Sequence, residues 1–177
     1  MFWLHNCKPM ANDNQKAQGH AAYLIKNGMR IALAHSITGM SWRSLRDLWD
    51  DAHGTDMPPP GRMPCSTVAY IRAGQSQVAL STLVTVYLSL EKEYQTPTDA
   101  FISAWESTRL FTDKNAPLDI NAAWYAVRDT KAGRVAWCKC KDCKAGYFFD
   151  AKETRKKSKC PFCGSMGNAL NGVTLCA

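Results

Sequence analysis

A mainly α-helical fold carrying a small C-terminal metal module is the architecture this sequence predicts, on three observations. Apolar residues recur at helical spacing between about residues 19 and 133, glycines and prolines punctuate that stretch, and two Cys-x-x-Cys pairs follow it. The 177 residues, 46% hydrophobic and 21% charged, suit a soluble globular protein and exclude disordered, collagen-like and coiled-coil classes. Such a length allows one domain of roughly 100–150 residues with a small appendage. The predicted division is an arm over 1–18, a helical domain over 19–133 and a zinc-binding basic module over 134–177.

The arm is polar and without clear periodicity. From about residue 19, Ile25, Met29 and Ala32 share one helical face, and Gly39 stops the run. Ser41 then reads as the N-cap of a helix whose apolar face is Leu45, Leu48, Trp49 and Ala52. Two helices joined by a short Gly-containing turn outline a helix-turn-helix-like part over 19–56, although a plain helical hairpin shows the same pattern. Gly54 ends the second helix. Three consecutive prolines, Pro58 to Pro60, make 57–65 a stiff extended link.

Ser66 or Thr67 starts a long apolar helix bearing Val68, Ile71, Val78, Leu80, Leu83, Val84, Tyr87 and Leu88. The charge-free run 73–90 within it is too rich in Ser, Thr, Gln and Gly for a membrane span and reads as a core helix. A further helix starts near Thr96, with Pro97 in its first turn and Asp99 complementing its dipole, and carries Phe101, Ile102, Trp105 and Leu110. Asp119 or Asn121 caps a last helix bearing Trp124, Tyr125 and Val127, closed by Gly133. That makes about five helices. Beyond them, Val135-Ala136-Trp137 and Gly146-Tyr147-Phe148-Phe149 are strand-like pieces flanking a cysteine pair.

Charge is divided unevenly. Residues 1–130 hold 12 Lys+Arg against 12 Asp+Glu, and residues 131–177 hold 10 against 3, so the whole net charge of +7 sits in the last 47 residues. Six of the eight cysteines lie there too. No secretory signal is visible, since His5, Asn6 and Lys8 interrupt the apolar start, so a cytoplasmic location is expected, where paired cysteines bind metal more often than they form disulfides.

Cys140-x-x-Cys143, sixteen intervening residues, and Cys160-x-x-Cys163 form the four-thiolate zinc pattern, each turn presenting two sulfurs to one ion. Pro161 stiffens the second turn, Gly164 permits a positive φ after it, and Lys139, Lys141, Lys144 and Lys159 offset the negative charge of a zinc–thiolate centre. Disulfides and an iron–sulfur cluster are the alternatives, and Cys138 or Cys176 could replace a ligand. Four thiolates leave no open coordination position, which makes the zinc structural. No phosphate loop, HExxH or deaminase-type HxE is present, and His5, His20, His35 and His53 are scattered, so no enzyme and no catalytic residue is expected.

Between the pairs lies the basic run Lys152, Arg155, Lys156, Lys157 and Lys159, the largest single-sign cluster of the chain, with Tyr147, Phe148, Phe149 and Phe162 nearby. As a solvated loop it would only keep the module soluble; as a nucleic-acid surface it would grip phosphates without reading sequence. Lys141 and Lys144 extend that surface. Arg43, Ser44 and Arg46, near the start of the 41–52 helix, are the candidate DNA contacts of the helix-turn-helix-like part, while Asp47, Asp50 and Asp51 would repel phosphates.

The order of these features resembles the FlhC family of bacterial transcriptional activators, the C subunit of the flagellar master regulator. The resemblance is carried by the segment 24–52, the link Pro58-Pro59-Pro60-x-x-Met63-Pro64-x-Ser66-Thr67, Ala123-Trp124-x-x-Val127-Arg128 with Gly133, and the two cysteine pairs, and it covers 19–165. It implies a helical fold, a structural zinc on Cys140, Cys143, Cys160 and Cys163, and a hetero-oligomer with a small FlhD-like subunit. It also implies activation of transcription from double-stranded promoter DNA, with RNA polymerase as a further partner. Flagellar members are more basic in the 41–52 helix, where this chain has three aspartates, and run on further past the last cysteine pair. The chain looks more like the AcaC/SetC-type activators of transfer genes carried by conjugative plasmids and integrative elements. A zinc-containing protein adaptor that reads no DNA is the alternative function.

Overall fold

The computed structural model describes residues 11–58, 62–112, 118–149 and 159–165. The chain divides into two compact units, Met1–Pro60 and Gly61–Ala177. Among the described residues there are seven helices and one two-stranded sheet.

The first unit is three helices, α1 (Ala11–Lys26), α2 (Ile31–Thr38) and α3 (Trp42–His53), each packed on the other two. Helix α1 begins eight residues before the expected start, so the second half of the expected arm is helical; its exposed polar residues, Asn14 to Lys16, hide the periodicity. The single helix expected from residue 19 to Gly39 is instead two. Gly28 adopts φ +85°, its N–H bonds the Ile25 carbonyl at 2.8 Å, and the Met29 N–H bonds the Leu24 carbonyl at 3.0 Å. These are the paired bonds of a Schellman stop, with Met29 and Leu24 both fully buried beside it. The chain then re-enters as α2, so Met29 and Ala32 do not share a helix with Ile25.

A three-residue turn, Gly39 to Ser41, joins α2 to α3. Ser41 is the N-cap expected: its Oγ accepts from the Ser44 N–H at 3.1 Å. Leu45 and Trp49 are buried and Leu48 is half-buried, whereas Ala52, expected on the apolar face, is exposed in the last turn. His53 closes the unit, with its Nε2 2.9 Å from the Ile25 carbonyl and its ring stacked on Trp49.

The second unit holds α4 (Thr67–Arg72), α5 (Gln77–Leu90), α6 (Pro97–Arg109), α7 (Ile120–Lys131), β1 (Ala136–Lys139) and β2 (Gly146–Phe149). The long helix expected from Thr67 is broken at Gly74, where φ is +100° and a second Schellman pair of bonds runs from Gly74 and Gln75 to Ile71 and Tyr70. Ser76 then caps α5, whose Leu80, Leu83, Val84 and Tyr87 are buried against α6 and α7. These two breaks account for seven helices where five were expected.

Helix α6 starts as the sequence predicts. Thr96 Oγ1 accepts from the Asp99 N–H at 3.1 Å and donates to the Asp99 carboxylate at 2.7 Å, with Pro97 in the first turn. Leu110, expected within this helix, lies just past its end and is 76% exposed. Asp119 rather than Asn121 is the N-cap of α7.

Buried Asp129 of α7 receives the Thr67 N–H at 2.8 Å and Thr67 Oγ1 at 3.0 Å on one carboxylate oxygen, and Arg128 Nη2 at 2.7 Å on the other. Arg128 also donates to the Cys65 carbonyl at 3.0 Å, so the start of α4 is tied to α7 by side chains. At the far end of α5, the Lys131 ammonium pairs with Glu91, which accepts from the Tyr87 hydroxyl at 3.0 Å. Burial works against the charged form of Glu91, but Lys131 and Tyr87 outweigh it and hold the carboxyl below its ordinary pKa.

Strands β1 and β2 pair antiparallel, Ala136 opposite Phe149 through Lys139 opposite Gly146. The hairpin does not stand apart from the helices. Gln77 Nε2 donates to the Phe148 carbonyl at 2.7 Å, Phe148 is fully buried, and β2 packs on α5.

Candidate metal centre

Two turns of the same design carry the cysteine pairs. In the first, the Cys140 N–H bonds the Ala145 carbonyl at 2.9 Å and the Lys144 N–H bonds the Cys140 carbonyl at 3.1 Å. In the second, Cys160 N–H reaches the Ser165 carbonyl at 3.0 Å and Gly164 N–H the Cys160 carbonyl at 2.9 Å. The residue after each second cysteine has positive φ, +61° at Lys144 and +74° at Gly164. Gly164 does what the sequence predicts; Lys144 takes the same conformation at a steric cost of about 1–2 kcal/mol that glycine would avoid.

The turns bring Cys140, Cys143, Cys160 and Cys163 together, with all four sulfurs within 4.8 Å of one another. Cys140 and Cys163 sulfurs lie 3.7 Å apart, as do those of Cys143 and Cys160. A zinc–sulfur bond of about 2.3 Å in a tetrahedron implies sulfur–sulfur edges of about 3.8 Å, so the donor set fits a tetrahedral thiolate-bound ion. All four cysteines are free thiols rather than disulfides. Cys138 is buried on β1 but is outside this group, and Cys7 and Cys176 lie outside the described residues.

Electrostatics of the metal-free cluster already favour thiolate at two positions. The Ser165 hydroxyl and the Cys143 amide lower the Cys140 pKa to about 6. Ser165, through its hydroxyl and its backbone amide, also lowers that of Cys163. Cys143 moves the other way: the Ala145 amide favours its thiolate, but burial and its three sulfur neighbours push it up to about 12. Protons held among crowded sulfurs are what a divalent cation would displace. Burial raises Cys138 despite the Tyr147 hydroxyl, consistent with a neutral thiol.

Ser165 was not expected from the sequence. Its Oγ lies 3.1 Å from Cys163 Sγ and 3.4 Å from Cys140 Sγ, bridging the two turns. The only signal for it is position: it stands two residues past the second pair, where the first turn has Ala145.

Lys141, Lys144 and Lys159 are exposed around the turns, as is Lys139. Arg155, Lys156 and Lys157, together with Lys152, lie outside the described residues. In the first unit, Arg43 and Arg46 are exposed on the first turns of α3, while Ser44 is half-buried with its hydroxyl 2.8 Å from Ser41 Oγ in the cap. Asp47, Asp50 and Asp51 are exposed on the later turns. No helix among the described residues is long and apolar enough to cross a membrane.

The chain that carries this four-sulfur centre matches a family of transcriptional regulators rather than a family of enzymes. The model of the family described as "Flagellar transcriptional activator (FlhC)" matches residues 6–173, and the chain belongs to that family. It is also similar to a flagellar transcriptional regulator FlhC of Gallionella capsiferriformans (strain ES-2), 27% identical over 151 residues, covering 81% of this chain and 80% of the relative.

Proposed function

We propose that the chain is the DNA-binding subunit of a transcriptional activator that acts with an FlhD-like partner at promoters. The observation that carries this reading is the four-sulfur centre rimmed by exposed lysines in a chain of the FlhC family. A zinc ion on Cys140, Cys143, Cys160 and Cys163 would have no open position and would act by holding the two turns together. Lys141, Lys144 and Lys159, with Arg155, Lys156 and Lys157 between the turns, would then contact phosphates from a fixed base. Arg43 and Arg46 would add a second contact at the start of α3, with Ser44 serving the cap that orients them. Association with RNA polymerase and a cytoplasmic location follow from such a role. The three aspartates of α3 favour the branch that serves conjugative transfer genes over flagellar genes.

Mobility shifts of the co-complex on its own upstream DNA test this. Replacing Arg155, Lys156 and Lys157 with alanine should weaken binding at least about tenfold and flatten the log–log salt slope by about 2–3. Unchanged affinity and slope would sink the assignment of the basic run. One observation favours a second reading: the exposed aspartates on the later turns of α3 suit a protein surface better than a phosphate backbone. A zinc-containing adaptor of that kind would keep its protein partner when challenged with competitor DNA.

A further inference from the structure

The aromatic side chains around the hairpin and the cysteine turns have assigned places, with one exception. Tyr147 and Phe148 are buried. Trp137 covers Gly146, where a Cβ would come within 2.6 Å of the indole. Phe149 packs on the buried group of Cys138, Cys140, Tyr147 and Cys160. Phe162 stands at the tip of the second cysteine turn and is 38% exposed. The bond from Gly164 N–H to the Cys160 carbonyl closes the turn behind it. The matching position of the first turn holds Asp142, which is exposed and is the one acidic residue among the described residues 135–149 and 159–165. Lys139, Lys141, Lys144 and Lys159, on β1 and the two cysteine turns, are all exposed and outnumber that single negative charge.

We propose that this tip binds single-stranded DNA, with Phe162 stacking on an unpaired base while Lys141, Lys144 and Lys159 meet the adjoining phosphates. The inference rests on the DNA-binding reading above and narrows it to a strand state. A duplex presents phosphates but hides its base faces inside the stack, so it leaves an exposed phenyl ring with nothing to cover it. An unpaired base offers a π-face, and stacking of this kind tolerates any sequence. Lysines are compact point charges without a fixed hydrogen-bonding fork, which suits phosphate contact without base reading. A turn pinned by a metal at both ends holds the ring in place before binding, which removes most of the ordering cost. At an activated promoter the strand that fits is one exposed by melting.

The test uses the full-length, zinc-loaded chain and fluorescence anisotropy with four probes of equal length: oligothymidine, an abasic strand, oligouridine and the upstream duplex. The abasic strand keeps the phosphates and lacks the base faces. Oligothymidine should bind about tenfold tighter than the abasic strand. F162L, which keeps apolar volume without a π-face, should erase that preference, and F162W should retain it. Duplex binding with the partner present should be the same in all three proteins, and each should hold equal zinc. Equal affinity for oligothymidine and the abasic strand would overturn the stack. So would a loss in F162L shared equally by the duplex. Tighter binding of oligouridine than oligothymidine would overturn the choice of DNA. The duplex arm reports separately on the wider DNA-binding reading, which fails only if the duplex is not bound.

Discussion

Asp129 is fully buried, and both of its carboxylate oxygens are committed, one to Thr67 and one to Arg128. Removing the carboxylate leaves the Thr67 N–H and Oγ1 without an acceptor inside the protein and strips Arg128 of its charge partner. Asp129→Ala should therefore cost about 2–4 kcal/mol, a figure moderated because Arg128 is part-exposed and partly solvated. Urea unfolding would read this directly, and a loss below about 1 kcal/mol would mean that water replaces the carboxylate. Neither Asp129 nor Ser165 was legible in the sequence. Each acts across a distance in the chain, Asp129 on Thr67 and Ser165 on Cys140, and no local periodicity encodes such a pairing.

At the scale of elements, local chemistry was the most readable part of the chain. The caps Ser41 and Thr96, the first-turn Pro97 and the stop at Gly54 follow from residue types that satisfy or terminate the backbone. Strand β2 lies where expected, while β1 starts at Ala136 and runs two residues past the expected piece 135–137. The breaks at Gly28 and Gly74 were missed because each lies inside an apolar run whose spacing continues on both sides. A helical glycine and a stopping glycine look alike until φ is known. That difference gives opposite signs to one substitution. Gly74→Ala forces a side chain into φ +100° and should destabilise by about 1–2 kcal/mol. Gly19→Ala, on the exposed side of α1 with open space at the Cβ position, should stabilise by up to about 1 kcal/mol. Thermal unfolding of the pair tests both, and a shared sign would refute the argument.

For the whole molecule, the four-cysteine site was legible because metal spacing is a covalent constraint written along the chain, and the structure places those four sulfurs together. How the hairpin sits was not legible: Gln77 and α5 hold it against the helices, so it is less separate than its composition suggests. Chelation of the metal should therefore expose the two cysteine turns to protease while leaving the far-UV helical signal within about a tenth of its starting value, because the described turns contribute almost no regular structure. Collapse of the helical signal together with metal loss would contradict this.

The pH dependence of the metal-free form carries two signs. The Cys140 pKa is lowered from 9.0 to about 6, so its contribution to stability is full above pH 9 and is lost as pH falls through about 6. Cys143 is raised from 9.0 to about 12, so its contribution is present below pH 9 and is lost as pH rises toward about 12. A metal requires both as thiolates, and protons compete for Cys143 throughout the neutral range.

The pairing of Cys143 with Cys160 also governs how the region between them can vary. Sixteen residues separate two sulfurs that sit 3.7 Å apart, so a bound metal closes that segment as a ring. The entropy of closing a ring grows only with the logarithm of its length, about 0.6 kcal/mol for each doubling. Residues can therefore be added or removed between Phe149 and Lys159, and the count of cations there changed, with little effect on the centre that closes the ring. Reach and charge toward a polyanion become adjustable quantities, decoupled from the stability of the fold that presents them.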